Sequence, residues 1–482
     1  MKPFNHPHTH ASLRRAMKPT TLLATAIALC GAASVQALPV IPGGAGFGIE
    51  TKAGRGGAVY KVTNLNADGS GSLKACVDKT GPRTCVFEVS GAIKITSDLK
   101  IRNGQLRIAG QTAPSPGIMI RGAGIAIYGS DILIQHIRVR TGDDLTGPDP
   151  DNRDSLRITG TTTAPVKNVV IDHCSFSWSI DEIASTWGPH DNITFSNNIF
   201  AEPLNESRHP DYDGSGYIPH GYGILFGQSD NSSITFTGNL MAHIVARNPL
   251  SRASELVMVN NLVYDRVEMD LDVQSEDAHV TKNSVVGNVF MRGPSYSRPA
   301  KPIYVHTTGT YKLPTGSRVY VHDNREPYYG GTSYSALVTL TGGDVVPSLM
   351  TQTTIPVWNS GLTALKSAES TVYSWVLSNA GARPTDRDAV DKRVVLNVRR
   401  GDGSVINCVS PNGTTRCSKN GGGWPSYAYN RRTLTLPTNP GSLASNGYSN
   451  LENWLNSLDR SINLNGVVDA ASPAAPPALS VQ

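Results

Sequence analysis

The chain of 482 residues contains 43 lysines and arginines and 38 aspartates and glutamates. Four of the basic residues lie in positions 1–37, which hold no acid, so the remaining chain is nearly neutral, with 39 basic against 38 acidic side chains. This net charge gives no case for nucleic-acid binding, and the length allows one large domain or two ordinary ones.

The N-terminal segment has the pattern of a secretory signal. Three basic residues precede the apolar run TTLLATAIALCGAASVQA, which ends in a small-residue cleavage site at Val35-Gln36-Ala37. We therefore predict that residues 1–37 are a signal peptide, cleaved after Ala37, and that the protein is secreted to the periplasm or the cell exterior. The apolar run is too short to span a membrane, and no other run comes close.

Five cysteines follow the predicted cleavage site. Cys76 lies close to Cys85 in the sequence, and Cys408 lies close to Cys417, so two local disulfides are expected in an exported protein. Cys174 is left over in an apolar run, where a free thiol behaves as a small hydrophobic group.

The central region repeats short β-branched runs, each followed by Asn or Gly. Short strands at this spacing predict an all-β fold, a right-handed parallel β-helix in which aligned Asn side chains hydrogen-bond from coil to coil. A β-sandwich is the alternative, but the Asn-Gly hairpin signals that it would need are scarce. The equivalent positions, a little over twenty residues apart except at two longer insertions, are predicted to be His136, Cys174, Asn198, Asn239, Asn261 and Asn288.

We predict a β-helix catalytic domain over 38–310, C-terminal coils and an extension packed on it over 311–470, and a flexible tail over 471–482. STVYSWVLSNAG predicts a short helix followed by Gly381, and GYSNLENWLNSL predicts a second one with Asn450 as N-cap. The segment DKRVVLNVRRGDGSVINC between them is expected to be an arm with strands.

Two long polar insertions interrupt the repeat, and long loops on a rigid solenoid commonly form a binding cleft. The second insertion, AEPLNESRHPDYDGSGYIPHGYG, includes Asp211 and Asp213. The first insertion contains five acids, Asp143, Asp144, Asp149, Asp151 and Asp154.

Acids and arginines fall on one predicted face. Asp181 is seven residues after Cys174, and Arg247 is eight residues after Asn239, so the two should share a face with one coil between them. At roughly 4.8 Å per coil their strands would lie about 10 Å apart, a gap that can hold a metal ion and a sugar carboxylate.

The segments VVIDHCSFSWSIDE and RNPLSR, in this order and at this spacing, resemble two characteristic segments of pectate lyases. The resemblance extends over about Leu38 to Ser295. It implies a right-handed parallel β-helix that uses Ca²⁺ to cleave polygalacturonate, an acidic polysaccharide, by β-elimination. By the same resemblance, Arg247 corresponds to the base that removes the C5 proton and Arg252 to a residue that binds a substrate carboxylate.

The resemblance also assigns Asp154 and Asp181 to calcium-binding positions, and Glu182 beside Asp181 is a further candidate ligand. The sequence departs from the family at Ser185 and Asn152, where acids are common. A lysine expected on the intervening coil is missing, and HGYGILFG offers His220 or Tyr222 for substrate binding instead. His173 is expected to be structural.

Two other functions remain open at this point. A β-helical polyuronate hydrolase would use two carboxylates as acid and base, which Asp154 and Asp181 could supply, but it would leave the arginines without a central role. A non-catalytic polysaccharide-binding β-helix is the other alternative. The protein is expected to be a monomer.

Overall fold

A computed structural model describes residues 38–211, 216–297, 300–327, 334–342, 348–351, 353–364, 369–413 and 415–463. The predicted signal peptide, Asp213 and the predicted tail 471–482 lie outside the described residues. Among the helices of the described part, none has the length and apolar character needed to cross a membrane.

The strands are short and numerous. The first thirteen are β1 Ala58–Val62, β2 Arg83–Phe87, β3 Gly91–Lys94, β4 Leu99–Ile101, β5 Leu106–Ala109, β6 Ile118–Arg121, β7 Ile125–Ile127, β8 Ile132–Gln135, β9 Ile137–Arg140, β10 Leu156–Thr159, β11 Val166–Asp172, β12 Ser175–Ser177 and β13 Ala184–Trp187. The others are β14 His190–Ser196, β15 Ile199–Ala201, β16 Ile224–Thr237, β17 Leu240–Ile244, β18 Leu250–Val259, β19 Leu262–Arg266, β20 Leu271–Val273, β21 Lys282–Val286, β22 Val289–Met291, β23 Ile303–Val305, β24 Arg318–His322, β25 Val338–Leu340 and β26 Met350–Thr351.

Helices are few in the described part of the chain. The α-helices are α1 Leu73–Val77, α2 Tyr334–Leu337, α3 Glu369–Asn379, α4 Ala389–Arg400 and α5 Asn450–Ile462, and short 3₁₀ turns occur at Gly110–Thr112, Pro150–Asn152, Pro384–Asp386 and Thr415–Cys417.

The strands pair in parallel and form three stacks along one axis. Stack one contains β4, β7, β10, β13, the first parts of β16 and β18, then β20, β23 and β25. Stack two contains β1, β2, β5, β8, β11, β14, the later parts of β16 and β18, then β21, β24 and β26. Stack three contains β3, β6, β9, β12, β15, β17, β19 and β22. The predicted parallel β-helix is confirmed.

An asparagine ladder runs along the turn between stacks two and three. Asn198, Asn239, Asn261 and Asn288 are fully buried, and each side-chain amide donates to the carbonyl oxygen of the next at 2.8–3.0 Å. The last of these donations reaches Asn324, a member that the sequence analysis missed because a longer loop precedes it. The predicted spacing of the four central asparagines is confirmed.

The predicted place of His136 in this ladder is wrong by one residue. Ser175 on β12 pairs with Arg138 on β9, so Cys174 is level with Ile137, and His136 is level with His173. Both histidines have a left-handed backbone, with φ of 58° and 47°. This conformation bends the chain from one stack to the next.

The C-terminal extension is mainly helical where it is described. α3 and α5 confirm the two predicted helices, but the N-cap of α5 is Ser449 rather than Asn450, because Ser449 and Glu452 form a reciprocal capping box. The predicted strands over DKRVVLNVRR are also wrong. This segment is α4, which begins after the cap Asp388 and ends at Gly401, with φ of 70°. Its valines at helical spacing pack against stack three.

Both predicted disulfides are present, with Cα–Cα distances of 6.0 Å for Cys76–Cys85 and 5.5 Å for Cys408–Cys417. Cys174 is buried and unpaired, as expected, and burial raises the pKa of its thiol. The domain division at residue 310 stays a prediction.

Candidate active site

The predicted site residues lie where the chain enters stack one on successive coils. Asp154 precedes β10, Glu182 precedes β13, Tyr222 precedes β16 and Arg247 precedes β18. The strands are in register, with Leu156 beside Ala184 and Ala184 beside Ile224. Asp154, Glu182 and Tyr222 each stand two positions before their strand and therefore stack above one another, whereas Arg247 stands three positions before β18. The predicted shared face of Asp181 and Arg247 stays a prediction.

Asp154 is a buried carboxylate that is only partly satisfied. Ser185 donates a hydrogen bond to its Oδ2, whereas Oδ1 has no hydrogen-bond partner among the described residues. Burial raises the pKa of Asp154 well above its usual value, and the nearby carboxylate of Asp181 raises it further. Ser185, which replaces an expected acid, thus orients Asp154 and adds no charge.

Asp181 contacts two histidines on the second insertion. The Nε2 atoms of His220 and His209 lie 3.0 Å and 3.7 Å from its Oδ1. Burial would raise the pKa of Asp181, but hydrogen bonding and charge from these imidazoles outweigh burial and lower it. The two histidine rings stack with their centroids 3.7 Å apart, and the His220 ring lies 4.1 Å from that of Tyr222. His209 was not predicted, and only its place in an acid-rich loop could have indicated it.

Oxygens of Asp154, Asp181 and Glu182 all lie within 4.8 Å of one another. Hard oxygen ligands of this kind suit Ca²⁺, and the unpartnered Oδ1 of Asp154 is an atom that a cation would satisfy. A second group, Asp181 with His209 and His220, shares one of these residues.

Most acids of the insertions do not join this cluster. Asp143 accepts from the backbone of Val409, Asp144 pairs with Lys94 at 3.5 Å, and Asp149 caps the 3₁₀ turn after it. Asp151 Oδ1 lies 3.4 Å from Nε2 of His209. The backbone amide of Asp211 bonds within its own loop. The five acids of the first insertion therefore do not form one binding site.

Arg247 connects the acidic cluster to the aromatic residues beside it. Its guanidinium forms an ion pair with the buried carboxylate of Glu182 and lies 4.4 Å from the ring centroid of Tyr222. Its backbone is left-handed, with φ of 65°, which is uncommon for a long side chain. Burial lowers the pKa of Arg247. The charge of Asp181 opposes this shift, and that of Arg252 adds to it.

Arg252 lies further along β18, and its hydrogen-bond partners belong to the next coil. It donates to Gln274 Oε1 at 3.1 Å and to Glu276 at 2.7 Å, and it lies 4.7 Å from the ring centroid of Tyr311. The sequence analysis did not predict these three partners. The side chains of Tyr311 and Glu276 are 38% and 43% exposed, so a ligand could reach Arg252 beside them.

Curated relatives resemble nearly the whole chain, although no protein-family model matches it. Probable pectate lyase C of Aspergillus fumigatus is 30% identical over 442 residues, which cover 88% of this chain and 95% of that protein. Probable pectate lyase C of Emericella nidulans is 35% identical over 288 residues, covering 58% of this chain and 59% of that protein.

Solved structures with a similar trace include a pectate lyase bound to a hexasaccharide, with a TM-score of 0.45 and 15% identity over 73% of this chain and 99% of that one. The cedar pollen allergen jun a 1 is another, with a TM-score of 0.43 and 17% identity over 69% and 91% of the two chains. The Aspergillus fumigatus relative is similar to this chain over almost its full length, at 30% identity. The chain belongs to the pectate lyase family.

Proposed function

We propose that the protein is a secreted, monomeric pectate lyase that cleaves α-1,4-linked polygalacturonate by calcium-assisted β-elimination. Family membership supports the reaction class. The observation that carries the residue assignment is the contact between the Arg247 guanidinium and Glu182, because it places a candidate base directly beside a cluster of three carboxylates.

Asp154, Asp181 and Glu182 would hold Ca²⁺ in this proposal. Calcium, when bound, neutralises the carboxylate of the uronate and so makes the neighbouring C5 proton more acidic. The burial of Asp154 and Glu182 supports this assignment, since buried carboxylates at this separation repel one another without a cation.

Arg247 would act as the base. An arginine is normally protonated at every physiological pH, so this role requires an environment that disfavours its cation. Burial and the charge of Arg252 lower its pKa, which is the direction needed. Arg247 would take the C5 proton, the C5–H electron pair would form the C4–C5 double bond, and the C4–O bond would break as its oxygen takes a proton from solvent water.

Substrate binding is assigned to the remaining residues of the face. Arg252 would pair with a uronate carboxylate, for which its bidentate donors are suited. Tyr222 would hold the Arg247 guanidinium against the face of its ring. His220 would orient Asp181 and contact the sugar in place of the missing lysine.

The hydrolase alternative is less well supported by this geometry. Inverting hydrolases place their two carboxyl groups roughly 6.5–9.5 Å apart to admit water, so the oxygens of Asp154 and Asp181, which approach within 4.8 Å, are too close for an inverting enzyme and nearer to the roughly 5–5.5 Å of a retaining one. Hydrolysis would also leave Arg247 without a chemical role.

One assay decides among lyase, hydrolase and binding protein. Incubation with de-esterified polygalacturonate and Ca²⁺ should produce an unsaturated product that absorbs in the near ultraviolet, and a chelator should abolish it. Reducing ends without this absorbance would show hydrolysis, and retention of the polymer without either product would show binding alone. Highly methylated pectin is the matched substrate control and should react far more slowly.

A further inference from the structure

A second cluster of metal-ligating side chains lies on a different turn of the coils. His136 joins β8 to β9, and His173 joins β11 to β12, so both lie at the turn between stacks two and three. Asp459, on α5, approaches them from the C-terminal extension. One ring nitrogen of each histidine and a carboxylate oxygen of Asp459 all lie within 4.8 Å of one another.

His136 is held between two hydrogen-bond acceptors. Its Nδ1 lies 2.7 Å from the backbone carbonyl of Ala382, which can only accept, so Nδ1 carries a proton. Its Nε2 lies 2.5 Å from Asp459 Oδ1, which is also an acceptor. Either a second proton or a metal ion must therefore satisfy these two facing atoms.

His173 has the same arrangement one coil further along. Its Nδ1 lies 2.9 Å from Asp172 Oδ2, and this carboxylate is fixed in turn by Gln135 and Ser196. The Nε2 atom is left available to a ligand. Histidines that bind metals in proteins commonly donate their other ring nitrogen to a carbonyl or carboxylate, which fixes the tautomer and the ring orientation. Both histidines meet this condition.

The surroundings of Asp459 also favour a cation. Asp459 lies in the last turn of α5, where the helix dipole disfavours a negative charge. It and His173 line a cleft of about 340 Å³ between the coils and the C-terminal extension, which leaves room for water on a bound ion.

We propose that His136, His173 and Asp459 bind one zinc ion, or a similar nitrogen-preferring divalent metal, which fastens α5 to the β-helix. Two imidazoles and one carboxylate, with the cleft supplying a water position, match zinc sites in proteins. Ligand atoms around tetrahedral zinc are roughly 3.3 Å apart, so the Asp459 side chain must withdraw by about 1 Å from His136 on binding. The site is separate from the candidate active site and does not depend on the proposed lyase reaction.

Zinc and cobalt alone are the probes, applied to metal-stripped protein that carries no histidine tag. Asp459→Asn removes the anionic ligand at the partly exposed end of α5 while keeping a side chain of nearly the same shape. His173→Gln removes one imidazole. Each variant should bind zinc at least about ten-fold more weakly than the original protein. Zinc should raise the Tm of the original protein and not that of Asp459→Asn.

His209→Gln is the matched control, because it alters the other histidine–aspartate group near the candidate active site. Cobalt should give the visible absorption of a four-coordinate site in the original protein and in His209→Gln, and not in Asp459→Asn. Equal zinc affinity in the original protein and Asp459→Asn, or a cobalt spectrum lost only in His209→Gln, would overturn the proposal. The cluster would then be an imidazolium–carboxylate pair. If His173→Gln fails to fold, the Asp459→Asn comparison decides.

Discussion

At the turn between stacks two and three, Asn198, Asn239 and Asn261 each donate to and accept from the neighbouring coil, so buried polar groups satisfy one another. At the entry to stack one the same coil spacing stacks charged groups, and Asp154 keeps an oxygen without a partner among the described residues. An amide carries both a donor and an acceptor, whereas ionised carboxylates are only acceptors and repel one another. A repeating ladder of amides is therefore structural, whereas the column of acids, Asp154, Asp181 and Glu182, needs a proton or a cation to relieve its repulsion.

The largest expected effect is on the rate of catalysis, at Arg247 near the entry to stack one. Arg247→Lys should lower kcat by about 10³-fold or more, because lysine keeps the charge but loses the planar group positioned against the C5 proton. Product absorbance on polygalacturonate measures the rate. Arg318→Lys, on the exposed end of β24, is the control and should retain activity. A rate near that of the original protein would remove Arg247 from the mechanism.

A substitution in the asparagine ladder should lower the free energy of unfolding and leave substrate affinity unchanged. Asn261→Ala should lower the free energy of unfolding by about 3 kcal/mol, because it leaves the buried backbone and side-chain amides of Asn239 without their acceptor. Denaturant titration measures this change, and Asn66→Ala on the surface is the control. A loss below about 0.5 kcal/mol would show that water or rearrangement replaces the ladder bonds.

Removing one carboxylate of the column should weaken calcium binding. Asp181→Ala should raise the calcium concentration for half-maximal activity about ten-fold or more, since few protein oxygens remain for an ion that prefers six to eight. Asp144→Asn is the control, because its side chain pairs with Lys94 away from the cluster. Calorimetry on Arg247→Lys should also show tighter calcium binding in the presence of an oligogalacturonate. Unchanged calcium dependence in Asp181→Ala would separate the acids from catalysis.

The unsatisfied carboxylate should make the metal-free protein less stable as pH rises. The folded-state pKa of Asp154 is raised, so the folded chain keeps a proton that the unfolded chain loses above its ordinary pKa of 3.8. The unfolding free energy should therefore fall as pH rises through the interval between these two pKa values. Asp154→Asn should flatten this dependence in denaturant titrations with a chelator, and Asp144→Asn should not. An identical pH slope in Asp154→Asn would contradict the assignment.

The smallest expected effect concerns Cys174, which lies one coil before Asn198, the first asparagine of the ladder. Cys174 donates its backbone amide to Asn198, and its thiol is buried. In the mature protein, without the predicted signal peptide and its Cys30, a thiol reagent should find no reactive group in the native state and one after unfolding without reductant. Three or more thiols after unfolding would mean that a disulfide is absent in solution.

The sequence by itself determined the coil repeat and the two disulfides, and it predicted a shared face for the acids and the arginine. Each of these follows from spacing along the chain: a parallel coil advances by about 4.8 Å, and similar offsets from Cys174 and Asn239 are expected to return to the same face. The exact alignment of neighbouring coils, to within one residue, did not follow from the sequence. His136 was placed with Cys174 although it is level with His173, because both positions are polar or small and a single sequence does not show which one carries the bend.

Only the tertiary structure decides which side chains contact the charged groups of the candidate site. His209 reaches Asp181, and Gln274 and Glu276 reach Arg252, across loops whose paths no local pattern specifies. α4 was mistaken for strands because valine is β-branched, and it became a helix because its valines at helical spacing pack against stack three. Local spacing determines which residues share a coil face, whereas contacts between distant segments depend on how loops and helices pack onto the finished coil.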